Sequence, residues 1–142
     1  GQTLALAGGP SVFVVDIGRP ASPLATKLDG AEAASGAWRD QWQGIALSAD
    51  GRLVAASRRD QVTFWAPNDG GAYVARAGPE VHHPGLTRVA MDGAGASLLT
   101  GARDGEVRLW RTGEAAPRTV LPASGTAVIA LAVTADGRVA AA

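Results

Sequence analysis

Apolar residues come in short runs along this chain, and turn-forming residues interrupt them at close intervals. Leu4-Ala5-Leu6-Ala7, Val12-Phe13-Val14-Val15, Ile45-Ala46-Leu47, Val89-Ala90-Met91 and Leu131-Ala132-Val133 are such runs. Asp50-Gly51, Pro67-Asn68-Asp69-Gly70-Gly71, Asp104-Gly105 and Asp136-Gly137 separate others. Short, β-branched runs bounded by Gly, Asp and Asn read as strands and hairpins. No segment sustains the 3.6-residue period of an amphipathic helix. Asp29 to Ser35 has the composition for one helical turn, although a long loop suits it better.

The pattern predicts strands in a fourfold rhythm. First strands fall at about Gly44–Leu47, Thr87–Met91 and Val128–Val133. Second strands fall at Thr3–Ala7, Leu53–Ser57, Leu98–Gly101 and from Val139 onward. Third strands fall at Ser11–Asp16, Gln61–Trp65 and Glu106–Trp110. Fourth strands, the weakest, fall at Leu24–Lys27, Ala72–Ala75 and Arg118–Leu121. The rhythm is an internal repeat. The stretch ending at Trp65 aligns with the one ending at Trp110, 45 residues on, pairing Leu53 with Leu98 and Val62 with Val107. Ile45 to Leu53 likewise matches Leu131 to Val139 through a shared Ala-Asp-Gly-Arg. A period of this length, filled with strands, points to propeller blades.

At these residues the chain resembles the WD40 repeat family. The third unit carries the likeness best, with His82, Val89-Ala90-Met91, Thr100-Gly101, Asp104-Gly105 and Val107-Arg108-Leu109-Trp110. The resemblance implies an all-β fold of four-stranded antiparallel blades. It also implies a hydrogen-bonded tetrad of His82, Thr100, Asp104 and Trp110, in which carboxylate, imidazole, hydroxyl and indole satisfy one another. The departures are specific. Arg111 and Ala66 follow the two Trp residues where the family has Asp, and Val81 precedes His82 where it has Gly. The second unit has Trp38 near the His position and Ala55 near the Thr position, so the tetrad is not expected there. The expected division is 1–28 for the end of one blade, 29–77 and 78–122 for the second and third, and 123–142 for the start of a fourth. About three repeats fall short of the four to eight blades of a closed propeller. The ring is therefore expected to be completed by a complementary propeller segment or by a homodimer.

Composition removes several alternatives. The chain has no cysteine, which excludes disulfides, thiolate chemistry and Cys-based zinc sites. Thirteen basic residues balance thirteen acidic ones, so no global field attracts nucleic acid or an acidic membrane. No apolar run approaches a membrane span and no signal peptide is visible, which leads to the expectation of a cytoplasmic location. No cofactor is expected.

Candidate chemistry is sparse. His82, Thr100 and Asp104 do not read as a hydrolytic triad, because Thr100 lies within a strand and no Gly-x-Ser-x-Gly elbow exists. His82 and His83 are the two histidines, and neighbours on an extended chain point to opposite sides, so no metal is expected. Asp50, Asp60, Asp69, Asp92 and Asp136 suit turns. The central channel of a propeller would be lined by Ile45, Leu47, Val89, Met91, Leu131 and Val133, all unreactive, so an enzyme or small-ligand binder using that channel ranks low. Trp and Arg are enriched at binding hot spots. Trp38, Arg39, Trp42, Arg58, Arg59, His83 and Arg103 fall in loops that emerge on one rim of a blade, and they form the candidate partner-binding rim. The favoured function is a non-catalytic protein-interaction scaffold. The resemblance adds that such arrays in bacteria often sit in larger signalling or sensory proteins. A segment that merely completes a ring is the structural alternative.

Overall fold

The structure is a computed structural model, and it describes residues 3–8, 10–18, 24–28, 40–112, 114, 116–134 and 139–142. The possible helical turn at 29–35, Trp38, Arg39 and the Asp136-Gly137 turn lie outside the described residues.

The elements among the described residues are β-strands, arranged in antiparallel sheets. β1 (Thr3–Gly8), β2 (Ser11–Asp16) and β3 (Leu24–Lys27) form the first sheet in that order. β4 (Gly44–Leu47), β5 (Val54–Arg58), β6 (Gln61–Pro67) and β7 (Tyr73–Arg76) form the second. β8 (Leu86–Met91), β9 (Ser97–Ala102), β10 (Val107–Arg111) and β11 (Arg118–Leu121) form the third. β12 (Leu131–Val133) and β13 (Val139–Ala141) pair as a two-stranded ribbon. Each strand pairs with its neighbour in sequence, as short turns dictate. No helix among the described residues is long and apolar enough to cross a membrane.

The sheets stack, and this explains why their strands read as nearly continuous apolar runs. A strand side chain alternates between two faces. In β5, Val54 and Ala56 join a cluster with Val12, Val14, Leu28, Trp42 and Trp65 towards the first sheet. Ala55, between them, faces the opposite way and packs with Phe64, Val89, Met91, Leu98 and Trp110 towards the third. The third sheet repeats the arrangement. Leu98 faces the second sheet, while Leu99 packs with Ala90, Val107 and Val128 beside β12. Both faces of the inner strands are thus buried, and each fully buried Val or Leu stabilises by about 1.5–3 kcal/mol. Small residues set the separation between layers. A Cβ on Gly101 would lie 2.6 Å from Val128 Cγ1, so only glycine admits the next layer there.

The side chains expected to line a channel lie in or beside these seams. Ile45 and Leu47 adjoin the first cluster, Val89 and Met91 belong to the second, and Leu131 and Val133 adjoin the third. Strand limits differ most at Val128, where the apolar pattern places the start of β12. Its N–H donates to the Ala102 carbonyl and its own carbonyl accepts from Thr87 Oγ1, so Val128 is tied across to the third sheet. β12 begins three residues later, at Leu131.

Candidate functional site

A buried polar chain lies at one end of the third sheet. Thr100 on β9 is wholly buried, and its Oγ1 accepts the Trp110 indole N–H at 2.8 Å. The same oxygen lies 2.7 Å from His83 Nδ1. With the indole N–H donating, the hydroxyl retains one lone pair and one proton, so either imidazole tautomer satisfies that contact. On its other side the ring presents Nε2 to Glu106, 3.6 Å from Oε2 and too far for a hydrogen bond. His83 is 1% exposed, and Nε2 is buried without a hydrogen-bond partner.

The turn between β9 and β10 places the acids. It spans Arg103, Asp104 and Gly105, closed by the Ala102 N–H donating to the Glu106 carbonyl. Gly105 sits at φ 90°, and a Cβ there would collide with Ser124 Oγ and the Thr126 carbonyl. Asp104 Oδ1 accepts the Glu106 N–H at 2.9 Å. Glu106 Oε2 accepts from Arg108 Nη2 at 2.7 Å, and Oε1 accepts from Thr119 at 3.2 Å. Donation by Arg108, helped by Thr119, holds the Glu106 carboxyl below the usual range. Burial, reinforced by the Arg108 guanidinium, lowers the His83 imidazole pKa against the pull of Glu106 and Asp104. The shift favours the neutral imidazole.

His83, not His82, occupies the histidine position. The cause is a register set by the preceding sheet. Gln61 bridges His82, the His83 N–H donates to the Asp60 carbonyl, and the Gly85 N–H donates to Asp60 Oδ1. Those bonds fix the parity of the extended segment, turning His83 inward and leaving His82 exposed. The Thr100 and Trp110 positions are as expected. Asp104 lies close to His83, yet the carboxylate that faces Nε2 at 3.6 Å is Glu106, which residue typing passed over. The signal available was its place at the mouth of β10, directly after the Asp-Gly turn.

The expected rim is partly dismantled. Trp42 is buried, edge-on to Trp65 with ring centroids 5.4 Å apart. The Arg58 guanidinium covers Trp42 at 4.7 Å from its centroid. Asp40, also buried, accepts from Arg59 Nε at 2.5 Å and pairs with its Nη2. These residues do gather at one end. The reason Trp42 leaves the surface is the depth of the apolar cluster, which draws in a large ring. His83 is likewise interior. Arg59 and Arg103 stay exposed, with Arg103 held by its N–H donating to the Gly85 carbonyl.

Two further surfaces stand out. A cleft of about 290 Å³ opens between the second and third sheets, lined by Phe64, Gly78, Met91 and Trp110 with Arg52 and Arg76. The outer face of the first sheet carries two apolar cross-strand pairs, Leu4 opposite Val15 and Leu6 opposite Phe13. Leu4 is 46% and Leu6 47% exposed. The chain matches no family model and no curated protein.

Proposed function

We propose that the chain is a non-catalytic interaction module of WD40 propeller type, whose stacked sheets are blades and whose partner is another β-sheet. The observation that carries this reading is the apolar outer face of the first sheet. Leu4 and Leu6 alternate with Ala5 and Ala7, which pack inward on the first core cluster. Their cross-strand partners Phe13 and Val15 are half-buried. Inside the molecule, faces of this character are covered by the next sheet, and a contiguous exposed apolar face marks an interaction site. The occupant that best repeats the internal geometry is a sheet of the same kind, from a complementary propeller segment or a second copy of the chain.

Light scattering after size exclusion tests this on the chain and on Leu6→Lys. The expected result is a mass near twice the 14.3 kDa of one chain, falling to the single-chain mass in the variant. A parent chain that is monomeric, and that binds an apolar-surface dye no better than Leu6→Lys, would overturn the proposal.

A further inference from the structure

We propose that His83, Asp104 and Glu106 form a binding site for a single zinc-like divalent ion. Three observations independent of the apolar face support it. One nitrogen and two carboxylates offer ligand atoms that all lie within 4.8 Å of one another. The imidazole is 1% exposed, and the nitrogen that faces the carboxylates is the one without a hydrogen-bond partner. The third observation is the spacing. Ligands on a tetrahedral zinc ion, with bonds of about 2.0–2.1 Å, lie roughly 3.3–3.4 Å apart. The separation of His83 Nε2 from Glu106 Oε2 is 3.6 Å, a few tenths wider.

The surroundings hold these ligands in place. Thr100 Oγ1, at 2.7 Å from Nδ1, fixes the ring plane. With the proton on Nδ1, donating to that oxygen, Nε2 carries the lone pair that a metal needs. The Glu106 N–H orients Asp104, and the Thr119 hydroxyl orients Glu106. A neutral imidazole with two carboxylates compensates a divalent charge. Mixed nitrogen and oxygen donors suit zinc better than calcium or magnesium, which favour oxygen shells of higher coordination. Asp104 is exposed, so solvent reaches the fourth position.

Arg108 is the competitor. Its Nη2 occupies the Glu106 oxygen nearest His83, at 2.7 Å. Its Nη1 also donates to the His82 carbonyl at 3.3 Å, an anchor it keeps when Glu106 turns to an ion. This predicts an asymmetry that a purely structural His–carboxylate contact does not share. Removing a ligand weakens metal binding, whereas removing Arg108 tightens it.

The experiment titrates the full chain with Co²⁺, read by the visible bands of tetrahedral cobalt, and with Zn²⁺ against a chromophoric chelator. The variants are Asp104→Asn, Glu106→Gln and Arg108→Met, each checked for folding by circular dichroism. One ion per chain is expected, bound about ten-fold or more weakly in each carboxylate variant and more tightly in Arg108→Met. The imidazole ¹⁵N resonances of His83 should move on Zn²⁺ addition while those of His82 stay. Absence of uptake by the folded chain, uptake undiminished in both carboxylate variants, or a shift at His82 alone would overturn the site.

Discussion

The second and third sheets share one strand order and a Trp near the end of the third strand, yet they are fastened in different ways. In the second, Trp65 is wholly buried against Trp42, with Arg58 over the ring and Asp40 paired to Arg59. In the third, Trp110 donates into a hydrogen-bonded chain through Thr100 to His83. The turns explain the divergence. β5 and β6 are joined by Arg59 and Asp60, with Arg58 opposite Gln61 and Arg59 at φ 55°. β9 and β10 need a third turn residue, Gly105. Trp65 consequently faces Val54, whereas Trp110 faces Leu98, one residue earlier than the 45-residue offset requires. The counterpart of Thr100 is thus Ala56, opposite Thr63, and not Ala55. One position in a turn decides which side chains reach the seam. An apolar fastening loses packing when cut, while a polar one also strands its partners.

The most damaging way to break the comparison is Trp65→Ala. It should cost about 3–5 kcal/mol in chemical denaturation, the loss expected when a buried aromatic leaves a cavity. A loss below about 1 kcal/mol would mean that the second sheet is not held by its aromatic pair.

The strand order and nearly every strand were legible because apolar runs and turn residues alternate at short intervals. The outer strands were legible too, since Tyr73–Arg76 and Arg118–Leu121 lie beside clear turn signals. Thr100 and Trp110 could be paired because the resemblance to WD40 repeats implies a hydroxyl and an indole at those two positions, and the two are hydrogen-bonded. The choice of His82 over His83 fails because the two differ only in parity, and Asp60, on another sheet, sets it. For Trp42 the sequence allows either packing between sheets or a place on the rim, and the apolar cluster beneath it draws the ring inward.

Thr100→Val sharpens the contrast next. The isostere keeps the volume but removes the group shared by Trp110 and His83. A loss of about 2–3 kcal/mol is expected, because each stranded buried polar group costs about 1–3 kcal/mol. Ala56→Ser at the equivalent position of the second sheet should also destabilise, as it buries a hydroxyl beside apolar groups. Equal stability of Thr100→Val and the parent would dissolve the distinction between the two fastenings. Arg59→Ala ranks third, at on the order of 1 kcal/mol. Its side chain is 65% exposed, which screens the pair, while burial of Asp40 raises the cost above that of a surface pair. High salt should shrink the difference between variant and parent, as thermal melts would show.

The smallest effect lies at the turn before β5. Ser48 Oγ donates to Asp50 Oδ1 at 2.6 Å and the Arg52 N–H donates at 2.9 Å, lowering the Asp50 pKa from its ordinary value. A carboxyl whose folded pKa lies below its unfolded one contributes stability above the unfolded value. That contribution disappears as pH falls through the folded value. Asp50→Asn should therefore be slightly destabilising at neutral pH and indistinguishable from the parent in strong acid. A difference that grows on acidification would contradict the assignment.

The tie at residue 128 has a mechanical consequence. The single hydroxyl proton of Thr87 is shared between the carbonyls of Gly101, at 3.0 Å, and Val128, at 2.9 Å. Beside it, Val128 N–H reaches Ala102 and Arg88 Nε reaches the Ile129 carbonyl. A force applied at Ala142 meets the β12–β13 ribbon first, whose bonds open in succession like a zipper. The load then passes to residues 128–129, where several bonds bear it together. Pulled in a single-molecule instrument, the chain should yield softly and then stiffen at this clasp.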